Sequence, residues 1–236
     1  MKITYLNHSG FLLEWNHSYW IFDYYKGTIP KLDPVKDILV FCSHSHHDHF
    51  NPEIFTLLAE HPSITYIFSN EIRHTHRKLQ QPDIHFLKSR TDYQITTPSG
   101  DPLKIHTLRS TDCGCAFVIE YENKVIYHAG DLHWWHWEGE EPSWNKQMEV
   151  NYKKEIDYLK DQKIDLAFTP LDPRQEKDYA LGMNYFLSNT NTRHVFPMHF
   201  WDNFDIIKQY QKEHPIPDTT TFYSLQRNGQ SFEIML

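Results

Sequence analysis

The sequence predicts a single domain of the mixed α/β (α+β) class that spans residues 1–236, with sheet layers covered by helices. Two patterns favour this class. The first part of the chain has the pattern of a meander of short strands, and later parts alternate between strand and helix patterns. The composition agrees with one domain, because 236 residues with 39% hydrophobic and 15% aromatic content suffice for one large core.

The first strands form the predicted meander, and the first helices follow them. The turn-like pair Ser9-Gly10 separates the first two strands. Asn51 is the expected N-cap of the first helix, and Pro52 occupies its first position. The strands predicted in this part are Ile3–Leu6, Phe11–Trp15, Tyr19–Phe22, Ile38–Cys42, Ile64–Phe68 and Ile84–Leu87, and the helices are Pro52–His61 and Glu71–Leu79.

The remainder of the chain continues with strands and three further helices. Glu122-Asn123 predicts one hairpin, and Asn228-Gly229 predicts another between the two closing strands. The amphipathic pattern of residues 146–162 predicts the longest helix. The predicted strands are Leu103–Leu108, Ala116–Tyr121, Val125–Tyr127, Leu166–Thr169, His194–Met198, Thr221–Leu225 and Phe232–Met235, and the helices are Lys146–Gln162, Tyr179–Leu187 and Asp202–Glu213.

The composition limits the classes of partner. A formal net charge of −8 argues against a general nucleic-acid surface, which needs clustered Lys and Arg. No window approaches the apolar length of a membrane-spanning helix, and the first residues lack a signal-peptide core. The 3 cysteines, an odd count without an export signal, predict a reducing compartment. We therefore expect a cytoplasmic protein that acts on a small molecule and has no polymeric nucleic acid or membrane partner; its oligomeric state stays open.

The most informative segment is a histidine-rich motif. The chain has 17 histidines, and Ser43–His49 reads Ser-His-Ser-His-His-Asp-His directly after an apolar strand. The imidazoles of His44 and His46, two residues apart at a strand end, can point the same way. The turn that follows brings Asp48 and His49 back towards them. Imidazole and carboxylate donors suit Zn²⁺ and also Fe and Mn, so the motif predicts a metal site; a merely polar His-rich loop is the alternative.

With this motif the chain resembles the metallo-β-lactamase superfamily, whose hallmark is the pattern His-x-His-x-Asp-His. Gly130-Asp131 after one strand and His199 after another recur in the expected order, so the resemblance covers most of the chain. It implies a four-layer αβ/βα sandwich that holds two divalent metal ions, with Zn²⁺ expected and Fe or Mn as alternatives. It also implies that Asp131 bridges the ions, while His199 completes the shell of the second ion with Asp48 and His49.

Within the superfamily, the chain is most similar to predicted metal-dependent hydrolases related to the ascorbate-phosphate lactonases. Residues 7–11, Asn-His-Ser-Gly-Phe, and the strand end Phe22-Asp23 resemble the first strands of that group. Residues 110–112 and 130–137 are similar to a bacterial branch of it. We expect Asp23, at its strand end, to orient a ligand imidazole or to cap a loop.

The chain departs from the family pattern at the third ligand of the first metal. The loop of residues 109–115 has no histidine. Asp112 is the predicted replacement, because a loop carboxylate can bind a metal directly, and a carboxylate there could favour Fe or Mn over Zn. His106 is the alternative, although its position within a strand favours a role in the sheet. Cys113 and Cys115 could offer thiolates, but small residues beside a glycine more often serve packing.

The resemblance implies a hydrolase in which the metal pair supplies hydroxide to attack a small carbonyl substrate, namely a lactone, ester or thioester. Asp48 is predicted to orient that hydroxide. The alternatives are hydrolysis of a small phosphodiester and an iron-dependent redox reaction on the same fold. The residues predicted to contact substrate are His8, His133, His136 and Arg174, each with a structural or surface role as the alternative. The indoles predicted to wall the pocket, or else to join the core, are Trp134, Trp135 and Trp137.

Overall fold

The computed structural model of the chain describes residues 1–76 and 84–236. Its two seven-stranded sheets pack against each other through one large apolar core, to which both sheets contribute. Phe11 of the first sheet lies 4.3 Å from Phe168 of the second, measured between ring centroids. Helices cover the outer face of each sheet, so the predicted four-layer α+β sandwich is confirmed.

The first sheet has its strands in the order β14-β1-β2-β3-β4-β5-β6, antiparallel from β14 to β3 and parallel from β3 to β6. The strands are β1 (Lys2–Asn7), β2 (Gly10–Glu14), β3 (Ser18–Phe22), β4 (Asp37–Cys42), β5 (Ile64–Ser69), β6 (Ile84–Leu87) and β14 (Ser231–Glu233). Two short helices, α1 (Glu53–Leu57) and α2 (Ile72–Thr75), cover its outer face through Ile54 and Ile72.

The second sheet has its strands in the order β13-β12-β11-β10-β9-β8-β7, parallel from β10 to β13 and antiparallel from β7 to β10. The strands are β7 (Asp92–Thr96), β8 (Pro102–Arg109), β9 (Cys115–Tyr121), β10 (Lys124–His128), β11 (Lys163–Pro170), β12 (Asn191–Met198) and β13 (Thr221–Phe222). The helices are α3 (Pro142–Asp157), α4 (Leu181–Asn189) and α5 (Asp205–Glu213), and a 3-10 segment spans Pro173–Asp178. No helix in the described ranges has the length and apolar character needed to cross a membrane.

The closing hairpin predicted at Asn228-Gly229 is wrong. Strand β13 pairs in parallel with β12, whereas β14 pairs antiparallel with β1 in the other sheet. The turn at Gly229 therefore lies within a crossover, and the amide of Gly229 donates to the carbonyl of Tyr5 on β1. The residues Asn228-Gly229 are typical of a hairpin turn, which would pair β13 with β14. Instead, each strand pairs with the edge of a different sheet, and this pairing determines where the strand lies.

The observed ends of three helices differ from the predicted ones. Helix α3 begins at Pro142 and not at Lys146, because proline is well suited to the first turn of a helix. Helix α1 ends at Leu57, well before the predicted His61. The predicted helix Glu71–Leu79 is observed over Ile72–Thr75, and its residues 77–79 lie outside the described part of the chain.

Candidate metal centre

The predicted ligands come together in loops that follow strands of both sheets. Ser43–His49 follows β4, and the remaining ligands follow β8, β10 and β12. Together with His8, which follows β1, they form two groups in which the donor atoms lie within 4.8 Å of one another. The first group is His44, His46, Asp112 and Asp131, and the second is His8, Asp48, His49 and His199.

Asp131 lies between the two groups. Its Oδ2 is 3.6 Å from Nε2 of His44 in the first group. Its Oδ1 is 3.1 Å from Nε2 of His49 and 3.3 Å from Nε2 of His199, both in the second group. Because each oxygen faces a different group, the carboxylate is placed as a bridging ligand would be.

Asp112 completes the first group, at the position where the family pattern has a histidine. Its Oδ2 lies 3.3 Å from Nδ1 of His46, which is 3.1 Å from Nε2 of His44. His106 lies elsewhere on β8, where its Nδ1 is 2.7 Å from Oδ1 of Asp92 and its ring stacks on Tyr158. The geometry therefore favours Asp112 over His106.

We expect Asp112→Ala to lose one metal ion per chain, because the first group would keep only His44, His46 and the shared Asp131. The loss of affinity should be at least about tenfold, the effect of removing even a supporting residue from a metal site. Metal per chain after dialysis, measured by plasma mass spectrometry, checks this, and His106→Ala is the matched control. The choice of Asp112 is contradicted if His106→Ala loses the ion and Asp112→Ala keeps it.

The second group contains His8, which was predicted to contact substrate. Its imidazole is buried, and Nε2 lies 3.3 Å from Oδ2 of Asp48. Its ring lies 4.2 Å from the ring of His199. His8 has a φ of 55°, an uncommon backbone conformation for a non-glycine residue that is concentrated at functional sites. This placement makes His8 a candidate metal ligand and not part of the cavity wall.

Two buried carboxylates hold the ligand imidazoles in place. Asp23 accepts hydrogen bonds at Oδ2 from Nδ1 of His49 (2.8 Å) and from Oγ of Ser43 (2.6 Å), and at Oδ1 from the Ser43 amide (2.7 Å). The Ser43 hydroxyl also lies 3.0 Å from Nδ1 of His44. Asp23 therefore fixes the imidazole of His49, a candidate metal ligand, as its strand-end position predicted.

Asp172 does the same for the last ligand, and sequence reasoning missed it. Its Oδ2 lies 2.9 Å from Nδ1 of His199, and the side chain is fully buried. Asp172 is the second residue after β11, and Asp23 is the first residue after β3. The same strand-end signal, applied to Leu171-Asp172-Pro173, could have found it.

Unpaired buried atoms show that this site fits metal ions. The buried side-chain atoms that lack a hydrogen-bond partner among the described residues include three at this site: His8 Nε2, His49 Nε2 and Asp131 Oδ1. Each such atom costs about 1–3 kcal/mol when left unpaired. All three belong to the two groups, and they are ligand atoms of the kinds that Zn²⁺, Fe and Mn accept.

The pKa values of neighbouring carboxylates and imidazoles in the site depend strongly on one another. Burial alone would raise the pKa of Asp131, but the imidazoles of His49 and His199 hold it well below its usual range. Burial lowers the pKa of His199, yet Asp131 raises it to about 9. Burial lowers the pKa of His44 to about 3, so this imidazole is neutral and ready to bind a metal.

A cavity of about 290 Å³ opens onto both groups. Trp135, Trp137 and Arg174 line it, as predicted, whereas Trp134 does not and instead lies under the ammonium of Lys153 at 4.3 Å. Sequence reasoning missed Trp144, which also lines the cavity. The ligands that line it are His46, Asp48, Asp112, Asp131 and His199.

The remaining predicted site residues lie outside the cavity. His133 is buried, with Nε2 bonded at 2.7 Å to Oε1 of Gln175, and His136 lies 3.8 Å from Asp178 on a partly exposed surface. The geometry thus gives no support to substrate contact by either histidine. The cysteines belong to neither ligand group. Burial raises the pKa of Cys113 to about 11, which disfavours a thiolate there.

The fold and the two ligand groups define a metallo-β-lactamase-fold protein. Residues 2–140, more than half of the chain, match the family described as beta-lactamase superfamily domain, and the chain belongs to this superfamily. A relative in Opitutus terrae, named UPF0173 metal-dependent hydrolase, is 30% identical over 145 residues. That match covers 56% of this chain and 63% of the relative, so the chain spans less than two thirds of the relative's length.

Solved structures show the same fold over nearly the whole chain. Igni18, a metallo hydrolase from the archaeon Ignicoccus hospitalis KIN4/I, matches with a TM-score of 0.64 and 17% identity, over 99% of both chains. CmlA, a diiron β-hydroxylase from Streptomyces venezuelae, matches with a TM-score of 0.64 and 10% identity, over 99% of this chain and 54% of its own. Because proteins with such different names share the fold, the fold alone does not decide the reaction.

Proposed function

We propose that the chain is a metal-dependent hydrolase that uses two zinc ions to cleave a small carbonyl substrate: a lactone, an ester or a thioester. The observation that carries this proposal is the pair of candidate ligand groups, which lie on either side of the Asp131 carboxylate and open onto one small cavity. The metal-dependent hydrolase named in Opitutus terrae supports the same reaction class.

The two groups would hold one ion each through imidazole and carboxylate donors. When bound, such ions lower the pKa of a coordinated water and polarise the carbonyl that is attacked. The chain contributes the positions of the donors: Asp23 fixes His49, and Asp172 fixes His199. Supporting carboxylates of this kind set the orientation and basicity of ligand imidazoles.

Asp48 is the residue best placed to orient the attacking water. It belongs to the second group and also lines the cavity. Burial alone would raise its pKa, but the nearby imidazoles of His8 and His49 hold that pKa below the usual range. Asp48 is therefore ionised near neutral pH, and its carboxylate can accept a hydrogen bond from water.

The cavity limits the substrate by size. Its volume of about 290 Å³ lies at the lower end of ligand sites, which span roughly 300–1,000 Å³. A small phosphodiester is the second candidate, and the guanidinium of Arg174 in the cavity wall favours it. Iron in place of zinc would point to the redox alternative, since imidazole and carboxylate donors also suit iron.

We expect zinc-loaded protein to hydrolyse members of a panel of aryl esters, lactones and thioesters, and Asp48→Asn to lower kcat/KM by at least about a hundredfold. The amide keeps the shape of the side chain but loses the charge that orients water. Rates are followed by release of phenol or thiol, with His106→Gln as the control variant. A wild-type protein that retains two ions but cleaves phosphodiesters and no carbonyl substrate would overturn the proposal.

A further inference from the structure

We propose that Arg174 binds an oxyanion on the substrate, so that the molecule cleaved is a small anionic carbonyl compound with a flat, apolar body. This inference rests on the proposed hydrolase function and adds the substrate class to it. The oxyanion is a carboxylate or a phosphate, because both present two oxygens that match the fork of a guanidinium.

The first support is that Arg174 is held rigidly. Its Nε lies 3.0 and 2.9 Å from the two carboxylate oxygens of Asp172, and Nη2 contacts the same carboxylate. The indoles of Trp201 and Trp137 flank the guanidinium at 4.7 and 5.7 Å from ring centroid to Cζ. A side chain that is already fixed loses little conformational entropy when it binds a ligand.

The second support is that donors remain for a ligand. A guanidinium has five N–H donors, and within the described part of the chain Arg174 bonds only through Nε and Nη2. Nη1 therefore has both hydrogens free, and the side chain, which lines the cavity, is 48% exposed. The free side of the guanidinium can reach a group bound in the cavity.

The third support is the charge of the cavity. Arg174 is the one Lys or Arg among the described residues that line it, and the acidic lining residues are Asp48, Asp112 and Asp131. Two divalent ions would more than balance these three carboxylates. Asp172 does not cancel the guanidinium completely, because its buried carboxylate is shared with His199. An anion is thus favoured once the metals are bound.

The fourth support is the flat aromatic surface of the cavity wall. Trp135 and Trp137 stack at 5.7 Å with an interplanar angle of 10°, and Trp144 also lines the cavity. Indole surfaces bury flat apolar groups. The substrate would therefore place its carbonyl at the ligand groups, its flat body along the indoles, and its anion at Arg174.

The test compares three acetyl esters that share one leaving-group skeleton: para-acetoxybenzoate, its neutral methyl ester, and para-acetoxyphenyl phosphate. In each, water attacks the acetyl carbon, the bond to the phenol oxygen breaks, and acetate and the phenol leave. We expect the zinc-loaded protein to prefer at least one anionic ester over the neutral one. Arg174→Gln should lower that preference, the ratio of kcat/KM values, by about tenfold or more.

Arg174→Lys should restore only part of the preference, and Arg193→Gln, an exposed site on β12 away from the cavity, should leave it unchanged. The preferred anion identifies carboxylate or phosphate. If Arg174→Gln slows all three esters equally and lowers metal content, Arg174 only positions Asp172 and the inference is overturned.

A failure of the proposed function gives a different result. If the wild type cleaves none of the three esters, calorimetric binding of para-hydroxybenzoate and phenyl phosphate to zinc-loaded protein still tests the inference. Binding that Arg174→Gln weakens by about tenfold or more supports the oxyanion site. Binding that is absent, or that is independent of Arg174, overturns it.

Discussion

Asp131→Ala is expected to abolish the proposed metal pair and to lower kcat/KM for ester hydrolysis by at least about a thousandfold, since in the proposed reaction the ions would supply both the nucleophile and the polarisation of the carbonyl. The reason is geometric: the two carboxylate oxygens of Asp131 face different ligand groups, at 3.6 Å from His44 Nε2 and 3.1 Å from His49 Nε2. Both sites therefore lose a donor in one substitution. Isothermal titration calorimetry with Zn²⁺ measures the loss for each site.

Asp92→Ala is the matched control for Asp131→Ala. Asp92 is an exposed aspartate on β7 that also pairs with a histidine, His106, but it belongs to neither ligand group. Circular dichroism shows whether both variants fold. If folded Asp131→Ala binds two zinc ions with the affinity of the wild type, Asp131 is not a bridge.

Gly114→Ala is expected to destabilise the fold by several kcal/mol, because the loop that carries Asp112 packs directly on the histidine motif. Gly114 has a φ of +70°, and a Cβ there would overlap the carbonyl oxygen of Ser43 and lie 2.8 Å from Cβ of His44. A left-handed conformation costs a non-glycine residue about 1–2 kcal/mol, and overpacking adds typically about 1–3 kcal/mol. Unfolding in urea measures the sum.

Gly229→Ala separates these two costs. Gly229 has nearly the same φ, +74°, but nothing lies within 4 Å of the position of its Cβ. The control should therefore lose only about 1–2 kcal/mol of unfolding free energy, the cost of the backbone conformation. Equal losses in the two variants would show that the close approach of Gly114 to Ser43 does not matter to stability.

Local patterns in the sequence, together with the superfamily resemblance, predicted the layers of the fold and most of the residues that the structure brings into the two candidate ligand groups. The motif Ser43–His49 follows the fully buried strand β4, and its spacing limits where the side chains can point. Gly130-Asp131 and His199 follow strands of the second sheet in the order that the superfamily resemblance implied. Such signals are local, so one chain suffices to detect them.

Features that depend on contacts between distant parts of the chain were missed. Trp144 lies in the first turn of α3, which begins at Pro142 and not at the predicted Lys146. Strand β7 has a weak signal, since only Ile95 of its five residues is buried at this sheet edge. His8 lies beside Asp48 because the fold brings the end of β1 next to the motif that follows β4. The spacing of these residues in the sequence does not predict that contact.

The most direct test of the central claim is the metal content of the wild-type protein, purified without added metal, reconstituted with Zn²⁺ and dialysed. Plasma mass spectrometry should find about two zinc ions per chain, as expected for two candidate ligand groups with the Asp131 carboxylate between them. A chain that retains no stoichiometric metal after reconstitution would contradict the account, because the buried donors of His8, His49 and Asp131 would then serve no ion.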